Sequence, residues 1–240
     1  MKISTWNLQG NGYNGMCSTV AEAKTRMRNE EIDVFCLQET GFYENEQSEV
    51  LFSNNNFTLS RNLVVGTNDR GFKVNRYSLK YGTSNFRCCM AILVRAELDK
   101  IQPALIPMGS SRDVFGVLLK NGVAVYNIHA PSGNPEFAKS YFLAALREID
   151  RITTLYNIPN VVLAGDFNNN PFVTNEALQY DSLGLKYHLF IPKDRKNILA
   201  TQRSGNCLDY CCTNLQGNGV TISNNAGFSD HLQVTFNFEN

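Results

Sequence analysis

Eight polar residues of this sequence sit where its apolar runs stop or are interrupted. Asn7 closes "KISTWN", Glu39 follows "DVFCLQ", His129 closes "VAVYNIH", Asp166 and Asn168 follow "VVLAG", and Asp230 and His231 precede "LQVTFNF". Asp209 lies inside "CLDYCC", an acid among apolar neighbours that needs a partner once it is buried. Carboxylate and amide oxygens (Glu39, Asp166, Asn7, Asn168) suit a hard divalent cation such as Mg²⁺. Two histidines suit proton transfer near neutral pH. An aspartate held against His231 would fix its tautomer and raise its basicity. Together these groups describe hydrolysis of a phosphodiester or phosphomonoester. Each also has a plainer reading: a glutamate after a strand is usually a solvated turn, and an "NNN" run is usually a loop. The third histidine, His188, is at no strand end and reads as structural.

Strands must deliver these groups. Short runs rich in β-branched and aromatic residues predict strands at 2–6, 33–38, 88–95, 114–120, 123–130, 160–165, 207–212 and 232–238. Apolar spacing predicts helices over 16–31 and 135–156, with Pro135 at a permitted early position, and a shorter one over 174–181 with Thr174 as its N-cap. The polar stretches 44–50 and 53–62 read as surface loops. The pattern predicts one domain over 1–240, two packed sheets with helices outside, with the polar strand ends gathered at the rim of a single sheet.

Composition narrows the classes. The 240 residues carry 22 basic and 22 acidic side chains, so any nucleic-acid contact is local rather than advertised by a basic surface. No apolar run approaches the ~20 residues of a transmembrane helix. "KISTWN" begins at residue 2, so the chain either stays where it is made or has lost a leader. Seven cysteines leave at least one thiol unpaired in a monomer. The vicinal pairs Cys88–Cys89 and Cys211–Cys212 are poor disulfides in a strand, where neighbours point to opposite faces. No cysteine spacing fits a zinc site, and buried thiols in a reducing compartment are the favoured reading.

Six blocks in order, "TWNLQG" (5–10), "LQETG" (37–41), "NIHA" (127–130), "GDFN" (165–168), "LDY" (208–210) and "SDH" (229–231), resemble the endonuclease/exonuclease/phosphatase superfamily. Within it the likeness is strongest to the catalytic B subunits of cytolethal distending toxins, through "NFRCCMAILVR" (85–95), "SSRDVFGVLL" (110–119) and "RSGNCLDY" (203–210). The segment 42–85 matches nothing well. The resemblance implies an α/β (α+β) fold, a four-layer αββα sandwich of two mixed β-sheets flanked by helices. It implies Glu39 as principal metal ligand with Asn7 and Asp230, for Mg²⁺ or alternatively Mn²⁺ or Ca²⁺. It implies Asp166 activating water, Asn168 holding phosphate, and Asp209 orienting His231 as base or electrostatic stabiliser. His129 would act at the leaving side, and Arg87 and Arg112 would touch phosphates. The implied activity is that of a DNA endonuclease. It would be the catalytic subunit of a secreted genotoxin, carried by binding subunits into a host cell and its nucleus. A phosphoinositide phosphatase is the alternative, with Lys73, Arg76, Lys80 and Arg87 available for a basic pocket. A catalytically silent binding module is a further one, opposed by the intact polar set.

Overall fold

The computed structural model describes residues 1–9, 16–41, 48–65, 72–81, 88–109, 112–195, 197–225, 227 and 229–239, with the backbone alone for 16–20, 63–65 and 101. Its strands are β1 (Lys2–Asn7), β2 (Val34–Gln38), β3 (Glu49–Ser53), β4 (Phe57–Val65), β5 (Lys73–Tyr81), β6 (Met90–Arg95), β7 (Asp99–Ile106), β8 (Val114–Leu119), β9 (Val123–His129), β10 (Asn160–Asp166), β11 (His188–Phe190), β12 (Lys193–Asp194), β13 (Asn197–Ile198), β14 (Asp209–Thr213), β15 (Gly217–Ile222) and β16 (Val234–Phe238). Its helices are α1 (Met16–Asn29), α2 (Pro135–Leu155) and α3 (Pro171–Tyr180). Among the described residues the first sheet has eight strands in the order β15-β16-β1-β2-β6-β5-β4-β3, and the second has six, β11-β14-β10-β9-β8-β7. Both are mixed: β1–β2 and β9–β10 run parallel, their other neighbours antiparallel.

The apolar parity of each strand explains the layers. In β10, Val162 and Ala164 point into the core between the sheets, while Val161 and Leu163 point outward onto α2. In β2, Val34 and Cys36 face the other sheet, and Phe35 and Leu37 lie under Ala23 and Met27 of α1. The result is helix, sheet, sheet, helix. Helix α2 follows from its sequence: Asn134 accepts a hydrogen bond from Phe137 N, Pro135 opens the first turn, and Ala138, Tyr141, Phe142, Ala145, Leu146 and Ile149 recur on one buried face. Each large member of that face contributes about 1.5–3 kcal/mol on burial.

Four expectations need correction. Residues 49–50 of the first polar stretch begin β3 (Glu49–Ser53), with 44–47 outside the described residues, and most of the stretch 53–62 is β4 (Phe57–Val65) rather than loop. Their polarity misleads: Ser60 of β4, like Arg76 and Ser78 of β5, is buried. Helix α3 begins at Pro171 with Asn170 as cap, and Thr174 lies inside it, hydrogen-bonding the Tyr210 hydroxyl at 2.7 Å. Strand β6 begins at Met90, after Cys88 and Cys89. Cys36, Cys88, Cys89, Cys207, Cys211 and Cys212 are buried thiols. No helix among the described residues is long and apolar enough to cross a membrane.

Candidate active site

The polar residues meet at a rim formed by both sheets, not at the edge of one. Parity decides this. Ile3 of β1, Val125 of β9, Val162 of β10 and Cys211 of β14 all face the inter-sheet core. Asn7, His129, Asp166 and Asp209 share those faces by even spacing along their strands. Strand direction brings the ends together: His129 pairs with Asp166, and Asp166 with Asp209, in register at one end of the second sheet. On the first sheet, Asn7 pairs with Gln38, one residue before Glu39. Gly165 permits the close packing of β9 and β10 here, since a Cβ at that position would lie 1.9 Å from the Ile128 carbonyl oxygen.

Asp166 is the centre. Its Oδ2 accepts from Asn7 Nδ2 at 2.8 Å, and its Oδ1 accepts from Asn168 N at 2.8 Å. Burial, and then the charge of Asp209, push the Asp166 carboxyl up to about 7 against the pull of His231 and these donors. Asp209 Oδ2 lies 2.8 Å from His231 Nδ1 and accepts from Thr201 Oγ1 at 2.8 Å. Burial works against a charged His231 ring, but the Asp209 carboxylate outweighs it by charge and hydrogen bond. With Asp166 and Asp230 adding to it, the ring is pushed up to about 9. His129 is the opposite case. Burial, reinforced by Arg112 and His231, holds it well below its ordinary value. Its approaches to Glu39 Oε1 (3.5 Å) and Asp166 Oδ2 (3.9 Å) are therefore those of a neutral ring rather than ion pairs.

The remaining predicted residues divide. Asn168 Nδ2 and Arg112 Nη1 both donate to the Ala130 carbonyl, at 2.8 and 2.6 Å, so both reach the rim beside His129. Asn168 and Glu39 adopt left-handed backbone, φ 47° and 48°, a conformation costly for a glutamate and usually kept where surrounding structure demands it. Arg87 lies outside the described residues. Arg76 is buried in β5. Contrary to expectation, His188 does stand at a strand end, opening β11, but it pairs with Thr213, away from the rim.

The donor set fits a hard cation. The ligand atoms of Asp166, Asp209 and His231 lie within 4.8 Å of one another. Asp209 Oδ2 and His231 Nδ1 already engage each other, so that trio reads better as a proton-handling pair beside an acid. The more exposed acidic side chains at the rim are those of Glu39 and Asp230, at 14% and 32%. Asp230 Oδ1 has no hydrogen-bond partner among the described residues.

Sequence reasoning missed three contributors. Thr201 supports Asp209, and its hydroxyl also accepts from Leu208 N and Asp209 N. Gln202 Nε2 lies 3.2 Å from Asp230 Oδ2 and 3.3 Å from His231 Nε2. Asn127, fully buried in β9, donates to the Leu37 and Ala91 carbonyls of the other sheet and accepts from Gln38 Nε2. An asparagine inside an apolar strand was the available signal for Asn127; Thr201 and Gln202 lie in a polar turn with no such mark.

These layers make a sandwich of two mixed sheets flanked by helices, with the polar residues gathered at one rim. A profile described as the Endonuclease/Exonuclease/phosphatase family matches residues 4–231, and the chain belongs to that family. Among solved structures, the chain is similar to the Haemophilus ducreyi cytolethal distending toxin at 21% identity and TM-score 0.76, covering 100% of this chain and 98% of that one. It is similar to the Actinobacillus actinomycetemcomitans cytolethal distending toxin at 22% identity and TM-score 0.77, covering 99% and 97%. It is also similar to CdtB, the biologically active subunit of cytolethal distending toxin, at 17% identity and TM-score 0.73, covering 98% and 96%. No curated protein matches it in sequence.

Proposed function

We propose that the chain hydrolyses phosphodiester bonds of DNA at this rim with a divalent cation, Mg²⁺ first. The observation that carries the reading is the Asp209–His231 hydrogen bond of 2.8 Å set beside Asp166. Two neighbouring groups whose proton affinities are pushed to different values are what acid–base work requires. Asp166, poised near neutrality, takes a proton from the attacking water as its oxygen bonds to phosphorus and the bond to the leaving oxygen breaks. His231, cationic at neutral pH, donates to a non-bridging oxygen and offsets the charge gathering there. Asp209 fixes that ring. His129 stays neutral and lends a ring N–H on the leaving side. Asn168 and Arg112 hold the phosphate from the Ala130 side, and Arg87 is a further phosphate contact. Glu39 and Asp230, with Asn7, would hold the cation, which when bound neutralises charge on the phosphate.

The likeness in fold to toxin subunits supports a further step. The chain would be one catalytic domain over 1–240, the active subunit of a secreted genotoxin. Binding subunits would bring it into a host cell to damage DNA in the nucleus. The test is nicking of supercoiled plasmid with Mg²⁺ and with EDTA, run beside phosphate release from a phosphoinositide. Mg²⁺-dependent nicking is expected. Phosphate release without nicking would replace the DNA reading by the lipid one, and neither activity would sink both.

A further inference from the structure

We infer that Gln202 is a substrate-contacting residue whose side-chain amide donates to a non-bridging oxygen of a phosphodiester at the rim. The inference rests on the phosphodiester reading above and adds a residue to it.

The first support is position. Gln202 bridges to His231 as an isolated antiparallel pair, and Arg203 N donates to the Asp230 carbonyl at 2.8 Å. The turn is closed by Thr201 N and Gln202 N on the Asn206 carbonyl and by Gly205 N on the Gln202 carbonyl, at 2.9, 3.0 and 3.0 Å. This short turn therefore holds Gln202 directly over the Asp230–His231 pair.

The second support is orientation. An amide presents either an acceptor oxygen or two N–H groups, and partners decide which. A carboxylate oxygen, Asp230 Oδ2, lies 3.2 Å from one end of the Gln202 amide, so that end is the NH₂. The oxygen end then faces Ser204 Oγ, which donates to it at 2.7 Å. Ser204 Oγ in turn accepts from Asn206 Nδ2 at 3.0 Å. Every group in the chain from Asp230 to Asn206 has one consistent sense, and turning the amide over would set two oxygens against each other at Asp230.

The third support is what the amide meets. Its second N–H points toward His231 Nε2 at 3.3 Å, the nitrogen on which a phosphate oxygen is proposed to land. An oxygen arriving at His231 Nε2 would also come within hydrogen-bond reach of the Gln202 amide nitrogen 3.3 Å away. Gln202 is half-buried, while Ser204 and Asn206 are exposed, so the device is reachable from solvent and its anchor can be cut without opening the core.

The experiment uses the full chain, uniformly ¹⁵N-labelled, titrated with dimethyl phosphate, an unreactive phosphodiester. The Gln202 amide signal is identified by its loss in Gln202→Leu. It is expected to shift and saturate in the wild type, and to shift less in Ser204→Ala, where the amide is no longer held. In plasmid nicking, Gln202→Leu should lower kcat/KM about ten- to hundred-fold, as for loss of a hydrogen bond to a charged group. Ser204→Ala should fall between Gln202→Leu and the wild type, with the thermal midpoints of both variants unchanged. If the Gln202 signal stays still while backbone signals around His231 move, Gln202 is not a contact. If the amide shifts but the wild type never cuts DNA, the DNA reading fails and the contact stands. If no signal moves, neither survives.

Discussion

A buried imidazole ordinarily stays neutral, and His129 does, whereas His231 is pulled the other way by Asp209. The difference has a measurable sign. The folded value of His231, about 9, lies above its ordinary 6.5. The stability it contributes is therefore whole below its ordinary value and is lost as pH rises toward the folded one. The thermal midpoint of the wild type should fall between about pH 7 and 8.5, and His231→Gln should lose most of that slope. Equal slopes would mean the ring is not held charged. In catalysis, His231→Ala should cost ~10²–10⁴ in nicking rate. Asp209→Asn should be milder, because the ring remains with its tautomer unfixed. His188→Ala, away from the rim, serves as the control and should nick normally. Glu39→Gln keeps the shape but removes charge from the proposed cation site, so nicking should drop steeply at low Mg²⁺ and recover in part with excess. Undiminished nicking at low Mg²⁺ would remove Glu39 from the site.

At the scale of elements, β9 and β10 carry the tightest constraint. In Gly165→Ala the new methyl would collide with the Ile128 carbonyl, forcing apart the strands that bear His129 and Asp166. Destabilisation of at least about 1–3 kcal/mol, the usual range for overpacking, is expected in chemical denaturation. Nicking should fall further than that loss alone explains. Much of this frame was legible. The strands ending in Asn7, His129 and Asp166 announced themselves as apolar runs, and α2 as a long amphipathic repeat behind Asn-Pro. Strands β4 and β5 were not, because polar residues such as Ser60, Arg76 and Ser78 are buried in them, which no local propensity anticipates. The "NNNP" run did hold the start of α3, since Asn170 caps it and Pro171 opens it, but Thr174 offered a competing cap. The strand ends were visible and their sharing between two sheets was not: that depends on pairings such as β1 with β16, whose partners are far apart in sequence.

At the scale of the molecule, the balanced charge of 22 basic and 22 acidic residues would leave the proposed DNA binding to a few local cations. Each should then count. Arg112→Ala is expected to make the salt dependence of DNA binding shallower by roughly one counterion, and an unchanged slope would return Arg112 to a purely structural hold on Ala130. The pairing of β1 with β16 carries a different consequence, one of timing. A ribosome that has finished Leu199 has already made Glu39, His129 and Asp166, but not Thr201, Asp209 or His231. The last strand must leave the exit tunnel and dock against the first before the His231 turn is seated, through Ser229 Oγ on the Asn7 carbonyl and Trp6 Nε1 on the His231 carbonyl. A nascent or prematurely stopped chain that lacks Ser229 and His231 therefore lacks the assembled rim.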